Sequence, residues 1–188
     1  STTEDVGNLP GGNYTVTITD ANGCQAASLY IVNEPPVLTA QAIGTDITCF
    51  GGNNGTVAVI PGGGTKPYEY LWNNFVLDSS QTGLTAGLYT VLLTDSNGCH
   101  TSDSALIIEP TDLVVSGVVT DVFCNGFNTG VISLNVTGGT PGYTFVWSNG
   151  ETTQNISGLF AGNYSVTVTD TRGCFKVISF EVKESSGI

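Results

Sequence analysis

The sequence predicts an all-β fold of tandem sandwich domains, and three observations support this prediction. The chain repeats itself every 75 residues without a gap, and 25 of the 75 positions in 36–110 are identical in 111–185. Apolar and polar residues alternate in short runs, which is typical of strands with one buried face. Gly- and Asn-rich turns separate the runs, and no segment has the 3.6-residue periodicity of a helix. A unit of this length suits a small domain with its own core rather than a solenoid repeat.

The same repeat sets the expected domain boundaries. Residues 4–35 match residues 79–110, the last part of the unit, at 12 of 32 positions. We therefore expect the C-terminal part of a truncated repeat at 1–35, a complete repeat at 36–110 and a second complete repeat at 111–188. On this interpretation the chain is part of a longer array.

Each complete repeat contains five clear candidate strands and one ambiguous segment. The clear strands lie at 37–48, 55–60, 68–73, 88–95 and 100–108, and in the second copy at 112–123, 130–136, 143–148, 163–170 and 175–183. If the weaker segment 75–84 is one strand, the repeat has six strands, and its first turn and last hairpin share one end. If the segment forms two short strands, the repeat has seven, and those turns lie at opposite ends.

Recurring aromatic residues point to an immunoglobulin-like sandwich. Trp72 and Trp147 lie in the third strand, where such folds bury a Trp between the two sheets. Tyr14, Tyr89 and Tyr164 each follow a Leu and a Gly-containing crossover at the start of a strand, which resembles the tyrosine corner of these folds. We expect all five rings to serve as structural core residues rather than as ligand-stacking surfaces.

Composition excludes several classes of partner. The chain has 4 Lys and Arg against 16 Asp and Glu, a net charge of −12. A negative field of this size repels nucleic acids and anionic membrane surfaces. No apolar run approaches the roughly 18 residues that a transmembrane helix needs. We therefore expect no nucleic-acid partner and no membrane insertion in this segment.

Three motifs in a fixed order carry a family resemblance. The second complete copy reads CNGFNTG (124–130), GGTPGYTFVWSNG (138–150) and AGNYSVTVTDTRGC (161–174), and the first has the matching CFGGNNG (49–55), GGTKPYEYLWNN (63–74) and AGLYTVLLTDSNGC (86–99). This pattern resembles the SprB repeat, named for the giant surface adhesin of gliding Bacteroidota. The resemblance covers nearly the whole chain, and Phe50 replaces the usual Asn after the first Cys. It implies an extracellular, cell-surface scaffold, exported by the type IX system and without catalytic residues.

In an extracellular β array, the five cysteines suggest disulfides. We expect the bridges to involve Cys49, Cys99, Cys124 and Cys174, and the equivalent partner of Cys24 to lie upstream because its repeat is truncated. Pairing within repeats, Cys49 with Cys99 and Cys124 with Cys174, is the first expectation. Pairing of Cys49 with Cys174, pairing between sequence neighbours, and free thiols are the alternatives. Loop entropy contributes about 4 kcal/mol for a 50-residue loop and about 3.5 kcal/mol for a 25-residue one, so energy does not separate them.

Asp20, Asp95 and Asp170 open the last hairpin of each unit. An Asp at such a position usually accepts hydrogen bonds from its own turn backbone. Calcium is the alternative, because these carboxylates sit where domains join and Ca²⁺ takes several oxygen ligands. Apart from this weak candidate the sequence predicts no metal or cofactor, and no catalytic arrangement recurs at matched positions.

Two functions follow from these features. The first is a structural stalk or filament segment of a large bacterial adhesin, with neighbouring repeats as its partners and identical chains or surface polysaccharide as further ones. The second is a carbohydrate-binding sandwich, since such folds often hold sugars on exposed aromatic residues. The recurring aromatics occupy core-like positions, which favours the stalk over the sugar-binding module and over an enzyme.

Overall fold

A computed structural model describes residues 5–124 and 126–184, and in that part of the chain every regular element is a strand. The N-terminal hairpin consists of β1 (Gly12–Thr19) and β2 (Gln25–Val32). The first complete unit contains β3 (Thr39–Thr45), β4 (Gly55–Gly62), β5 (Glu69–Trp72), β6 (Ser80–Leu84), β7 (Gly87–Thr94) and β8 (His100–Ile107). The second contains β9 (Val114–Thr120), β10 (Gly130–Thr137), β11 (Thr144–Trp147), β12 (Ile156–Leu159), β13 (Gly162–Thr169) and β14 (Phe175–Val182).

The strand order of each complete unit is that of an immunoglobulin-like sandwich. In the first unit one sheet has the order β3-β4-β6 and the other β5-β7-β8, and the second unit repeats this as β9-β10-β12 and β11-β13-β14. Strands one, two and four of the unit thus face strands three, five and six, as the A-B-E and C-F-G strands do in immunoglobulin domains. Val122 and Glu184 form a parallel bridge between the end of the first strand and the end of the last. The predicted fold class is confirmed.

The path of the ambiguous segment corrects one expectation. Each unit has six strands, yet its first turn and its last hairpin lie at opposite ends of the sandwich. The reason is that residues 73–79 run back along the sandwich as irregular chain before β6 begins at Ser80. With this return, the chain passes along the sandwich seven times rather than six. It therefore enters the unit at one end and leaves it at the other. We call the end where the first strand begins the proximal end, and the end where the last strand finishes the distal end.

Each unit buries its own core. The first core contains Ile47, Val57, Val59, Trp72, Val91, Ala105 and Ile107, and the second is built from the equivalent residues around Trp147. Trp72 and Trp147 are 1% and 2% exposed, so they pack in the core and are closed to a ligand. Each indole Nε1 donates to a carbonyl of the returning segment, Asp78 in the first unit and Thr153 in the second, both at 2.8 Å. The Trp therefore ties the irregular segment to the core.

The tyrosine corner is present in all three copies. The Tyr14 hydroxyl donates to the Pro10 carbonyl oxygen at 2.7 Å. Tyr89 donates to the Thr85 oxygen and Tyr164 to the Phe160 oxygen, each at 3.0 Å. In every copy the bond reaches back four residues, across the crossover that precedes the strand.

The N-terminal hairpin differs from the other two because no second sheet packs on it in the part of the chain that the structure describes. β1 and β2 pair only with each other. Val16 and Ile18 are 49% and 68% exposed, whereas their equivalents in the complete units are fully buried. The hairpin thus has the geometry of the last two strands of a sandwich without the strands that would bury it.

We predict that Tyr89→Phe and Tyr164→Phe each lower the free energy of unfolding by about 1 kcal/mol, because each removes one hydrogen bond and leaves a backbone carbonyl without its partner. Chemical denaturation followed by Trp fluorescence measures this, since each core holds one Trp. Tyr14→Phe is the matched control and should leave both transitions unchanged. An equal effect of all three variants would argue against a role for the bond in sandwich stability.

Candidate functional site at the junction of the two sandwiches

The distal end of the first sandwich meets the proximal end of the second. The Glu109 Oε2 atom, just after β8, accepts a hydrogen bond from the Gly51 N–H at 2.7 Å, which holds the linker against the first turn of its own unit. On the other side the Gly139 N–H donates to the Thr111 oxygen at 3.0 Å. Linker residues are therefore bonded to both sandwiches, and the connection is not a free hinge.

A disulfide joins the two sandwiches directly. Cys49 in the first turn of the first unit is bridged to Cys174 in the last hairpin of the second, with the two Cα atoms 5.6 Å apart. The expectation of pairing within repeats is wrong, and Cys99 and Cys124 are free and exposed, as is Cys24. The reason is the returning segment: it places Cys49 at the distal end and Cys99 at the proximal end of the same sandwich. Cys49 therefore faces the next sandwich.

The hydrogen bonds around the hairpin aspartate explain the position of Cys174. Asp170 is 5% exposed, and its Oδ1 accepts from the Arg172 and Cys174 N–H groups, both at 2.9 Å. Its Oδ2 accepts from the Thr140 N–H at 2.8 Å, in the Gly-Gly-Thr loop of the same unit. One carboxylate thus fixes the hairpin turn, orients the bridging Cys and joins the two loops at the proximal end.

Asp95 makes the same set of bonds in the first sandwich. Its Oδ1 accepts from Asn97 and Cys99, and its Oδ2 from the Thr65 N–H at 2.9 Å. Burial alone would raise the pKa of Asp95, but the backbone N–H groups of Thr65, Cys99 and Asn97 together hold the pKa below its ordinary value of 3.8. The pKa of Asp170 is lowered in the same way.

Asp20 makes only part of this network. Its Oδ1 accepts from the Asn22 N–H at 2.9 Å and from the Cys24 N–H at 2.8 Å, as in the other hairpins. Among the described residues no Gly-Gly-Thr loop lies beside this hairpin, and no bond equivalent to those from Thr65 and Thr140 is present. The turn-bonding interpretation of all three aspartates agrees with these contacts. Within the described ranges, no group of three or more His, Cys, Asp or Glu side chains could hold a metal ion.

A second pair of aspartates, Asp46 and Asp121, closes the distal end of each sandwich. The Asp46 Oδ1 accepts from the Ile108 N–H at 2.9 Å, and the Asp121 Oδ1 from the Lys183 N–H at 2.8 Å. Each carboxylate thereby ties the end of the first strand to the end of the last. These two carboxylates accept hydrogen bonds from the backbone, and they lie in different sandwiches rather than together in one site.

The junction also contains a cleft of about 330 Å³ beside the disulfide. Phe50 and Pro110 line it from the first sandwich and the linker, and Leu113 and Phe175 from the second. The Lys176 ammonium lies 3.7 Å from the Asp112 carboxylate at its edge. This ion pair is half-exposed, so it contributes little to stability. The walls of the cleft are partly apolar and partly polar, since Asp112, Asp170 and Lys176 also line it.

The first sandwich has an exposed apolar patch that the second does not repeat in full at the equivalent positions. It consists of Leu71, Phe75, Leu77 and Leu92, and Phe75 is 85% exposed. Phe75 has a φ of 66°, in the left-handed region, and Gly150 occupies the equivalent turn position in the second sandwich. The other three positions are Val146, Thr152 and Thr167 in the second copy. The patch is therefore not a property of the repeat.

We predict that acid weakens both sandwiches through Asp95 and Asp170. Because the folded-state pKa of each is lowered, its stabilising contribution is fully present above the ordinary value of 3.8 and is lost as the pH falls through the lower folded value. The double variant D95N/D170N should have a lower Tm at pH 7 and a shallower loss of Tm below about pH 4. The matched control D20N should follow the wild type in thermal melts across this range.

We predict one disulfide and three free, alkylatable thiols in the oxidised chain. Alkylation under denaturing, non-reducing conditions followed by peptide mass mapping should find Cys49 linked to Cys174. The variant C49S should add Cys174 to the alkylated residues. A peptide pair linking Cys49 to Cys99 would contradict the junction geometry.

One family profile and two solved structures show similarity to this chain. The SprB repeat profile matches residues 42–76 in the first complete sandwich and 116–152 in the second. No curated protein matches the sequence. Among solved structures, the N-terminal eight Ig domains of Down Syndrome Cell Adhesion Molecule isoform 1.30.30 are similar at 11% identity and a TM-score of 0.36, covering 94% of this chain and 27% of that one.

The amphioxus IgVJ-C2 molecule is similar at 14% identity and a TM-score of 0.31, covering 76% of this chain and 96% of that one. The described residues contain no helix long and apolar enough to cross a bilayer. The strand order, the buried Trp and the tyrosine corner identify the immunoglobulin-like fold without reference to other proteins. The profile match covers part of the repeated sequence motifs. The chain therefore contains two regions that match the SprB repeat profile, each within an immunoglobulin-like sandwich.

Proposed function

We propose that this chain is a load-bearing stalk segment of a large bacterial cell-surface adhesin. The observation that carries the proposal is the Cys49–Cys174 bridge, because it joins two separately folded sandwiches rather than stapling one. A disulfide inside a domain stabilises that domain, whereas a disulfide between domains fixes their connection. The bridge also supports an extracellular location, where disulfides form and persist.

The bridge lies on a direct path for tension. β3 runs toward the distal end of the first sandwich, and Cys49 follows it. Cys174 immediately precedes β14, which runs toward the distal end of the second sandwich. The bridge thus connects the strand by which the chain enters the first sandwich to the strand by which it leaves the second. Tension applied along the chain passes through these two strands, and residues 50–173 lie in a closed loop outside the path.

The distribution of exposed groups fits a scaffold rather than an enzyme. The residues that recur between the sandwiches are core aromatics, turn glycines and backbone-bonding carboxylates such as Asp95 and Asp170. A catalytic or ligand site repeated along an array would instead preserve exposed polar groups in a cleft. No such repeated set occurs among the described residues.

The finer parts of the proposal concern the parent protein. We place the segment in an adhesin exported by the type IX system and connected with gliding, on the strength of the SprB repeat resemblance. The net charge of −12 supports a stalk whose segments repel each other and stay extended. Neighbouring repeats are its principal partners. Lateral association with identical chains, or contact with surface polysaccharide, would use exposed sheet faces, and calcium is not part of the proposed mechanism.

Single-molecule stretching tests the load path. The variant C24S/C99S/C124S keeps the bridge and excludes disulfide exchange, and it would be pulled from both ends. The bridge spans 125 residues of sequence, which is about 440 Å of chain at about 3.5 Å per residue. We predict that this length stays hidden in the oxidised variant and is released, as two sandwich-sized events, only after reduction.

The matched control adds C49S and C174S to the same background, so that only the bridge differs. It should show both unfolding events without reductant. Full-length unfolding of the two sandwiches in the oxidised, bridged variant would show that tension does not pass through the disulfide, and would remove the support for a load-bearing role.

A carbohydrate-binding module is the second candidate, and the exposed Phe75 favours it. A Phe at positive φ costs about 1–3 kcal/mol, and such strain is often associated with function. Phe75→Gly relieves the strain and removes the ring, so it should stabilise the fold. Glycan-array binding by the wild type that is lost in Phe75→Gly would favour the sugar-binding module over the stalk.

A further inference from the structure

We propose that residues 74–84 of the first sandwich form a strap that opens while the rest of the domain stays folded, and that the equivalent residues 149–159 of the second sandwich stay closed. The strap consists of the turn after β5, the irregular return and the whole of β6. When closed it covers one edge of β4, because the order of the sheet is β3-β4-β6. This inference concerns local opening of one sandwich and is independent of the load path through the disulfide.

Both ends of the strap are anchored to the sheet that stays folded. At one end the Asn73 N–H donates to the Thr90 oxygen at 2.9 Å, and the Asn73 Nδ2 donates to the Leu88 oxygen at 3.0 Å. At the other end the Tyr89 hydroxyl donates to the Thr85 oxygen at 3.0 Å. The three partners in the sheet all belong to β7. The segment between these anchors is therefore able to leave and return without disturbing the pairing of β7 with β8.

Backbone strain in the turn favours the open state of the strap. Phe75 has a φ of 66°, in the left-handed region that a side chain makes unfavourable, whereas the equivalent residue of the second sandwich is Gly150 at a φ of 89°. Burial of the ring does not offset this strain, because Phe75 is 85% exposed. Opening of the strap releases Phe75 to an ordinary backbone conformation, so the strain is present only in the closed state.

A buried amide without a partner acts in the same direction. Gln81 is 8% exposed, and its Oε1 accepts from the Asn74 Nδ2 at 2.6 Å, but its Nε2 has no hydrogen-bond partner among the described residues. The equivalent residue of the second sandwich is Ile156, which is 3% exposed and belongs to the core. An unpaired buried polar group is unfavourable, and water supplies the missing partner once the strap is open.

The strap of the second sandwich has additional bonds to its central strand, β10. There the Asn155 Oδ1 accepts from the Leu134 N–H at 2.9 Å, and the Gln154 Nε2 donates to the Leu134 oxygen at 2.8 Å. At the same place in the first sandwich the Val59 N–H donates to the Ser79 oxygen at 2.9 Å, and the two equivalent side chains are those of serines. Two side-chain bonds thus reinforce the second strap where, in the described residues, the first has a backbone bond.

Opening of the strap would change the surface of the first sandwich in two ways. It would free the N–H and C=O groups along one edge of β4, since these groups pair with β6 in the closed state. It would also divide the exposed apolar patch, because Phe75 and Leu77 lie on the strap while Leu71 and Leu92 lie on β5 and β7. The strap is therefore a conformational switch that acts on the patch and on a strand edge together.

Amide hydrogen exchange followed by NMR tests the proposal on the oxidised chain carrying C24S/C99S/C124S. The Val59 N–H reports on the first strap and the Leu134 N–H on the second, because each donates to its own strap. We expect the Val59 amide to exchange at least about a hundredfold faster than the amides of the β7–β8 ladder, since strap opening requires less free energy than global unfolding. The Leu134 amide should exchange no faster than the β13–β14 ladder.

The variant F75G/Q81I gives the first strap the two residues of the second. It should slow exchange at Val59 by about a hundredfold, about tenfold for each replaced residue. The reverse replacement, G150F/I156Q, should speed exchange at Leu134 by a similar factor. The matched control is L77T, which puts the residue type of Thr152 on the first strap without relieving strain or pairing an amide, and it should leave exchange at Val59 unchanged.

Two results would overturn the proposal. Equal exchange of Val59 and of the β7–β8 ladder in the parent chain would mean that the first sandwich opens only as a whole. An unchanged rate at Val59 in the single variant F75G would mean that strain in the turn does not control the strap. Because Phe75 is exposed, this single variant does not depend on whether the core accepts a substitution at Gln81.

Discussion

The architecture depends on how each sandwich returns its chain after the third strand. Residues 73–79 turn back along the domain as irregular chain, and the Trp72 indole holds them through its bond to the Asp78 carbonyl. This irregular traverse makes the number of passes odd, so a chain that enters at one end leaves at the other. Consecutive units of this kind therefore follow one another end to end along the chain. It also places the first turn of one unit opposite the last hairpin of the next, which is where the disulfide forms.

The ends of the sandwich are organised by carboxylates that bond to backbone. Asp170 connects the Gly-Gly-Thr loop to the hairpin turn, and Asp121 connects the first strand to the last. Each replaces the regular ladder at a place where strands diverge and N–H groups would otherwise be left unpaired. A chain that carries many acidic residues thus uses several of them for structure, and at Asp95 and Asp170 the backbone N–H groups hold the carboxyl pKa below its ordinary value. The structural role of these groups explains their recurrence without any ligand.

Much of the fold follows from sequence, because spacing and alternation report directly on which face is buried. The strand positions, the core role of Trp72 and the Tyr89 corner are all determined by local pattern. The disulfide is different, since it depends on which end of the sandwich each turn occupies. Whether two turns share an end is decided by the segment around Leu77. The sequence of that segment shows neither a clear strand periodicity nor a clear turn motif.

The 125-residue loop closed by Cys49 and Cys174 has a consequence for damage. Exposed turn tips such as the one at Phe75 are the places where proteases cut folded domains. A single cut anywhere from residue 50 to residue 173 opens the loop but leaves the two flanking parts of the chain covalently joined through the bridge. A cut at the Phe75 turn falls between β5 and β6 and interrupts no strand. Where secreted proteases are abundant, the two ends of this segment would therefore stay covalently connected after one cleavage. The same cleavage would separate tandem domains that lack such a disulfide into two pieces.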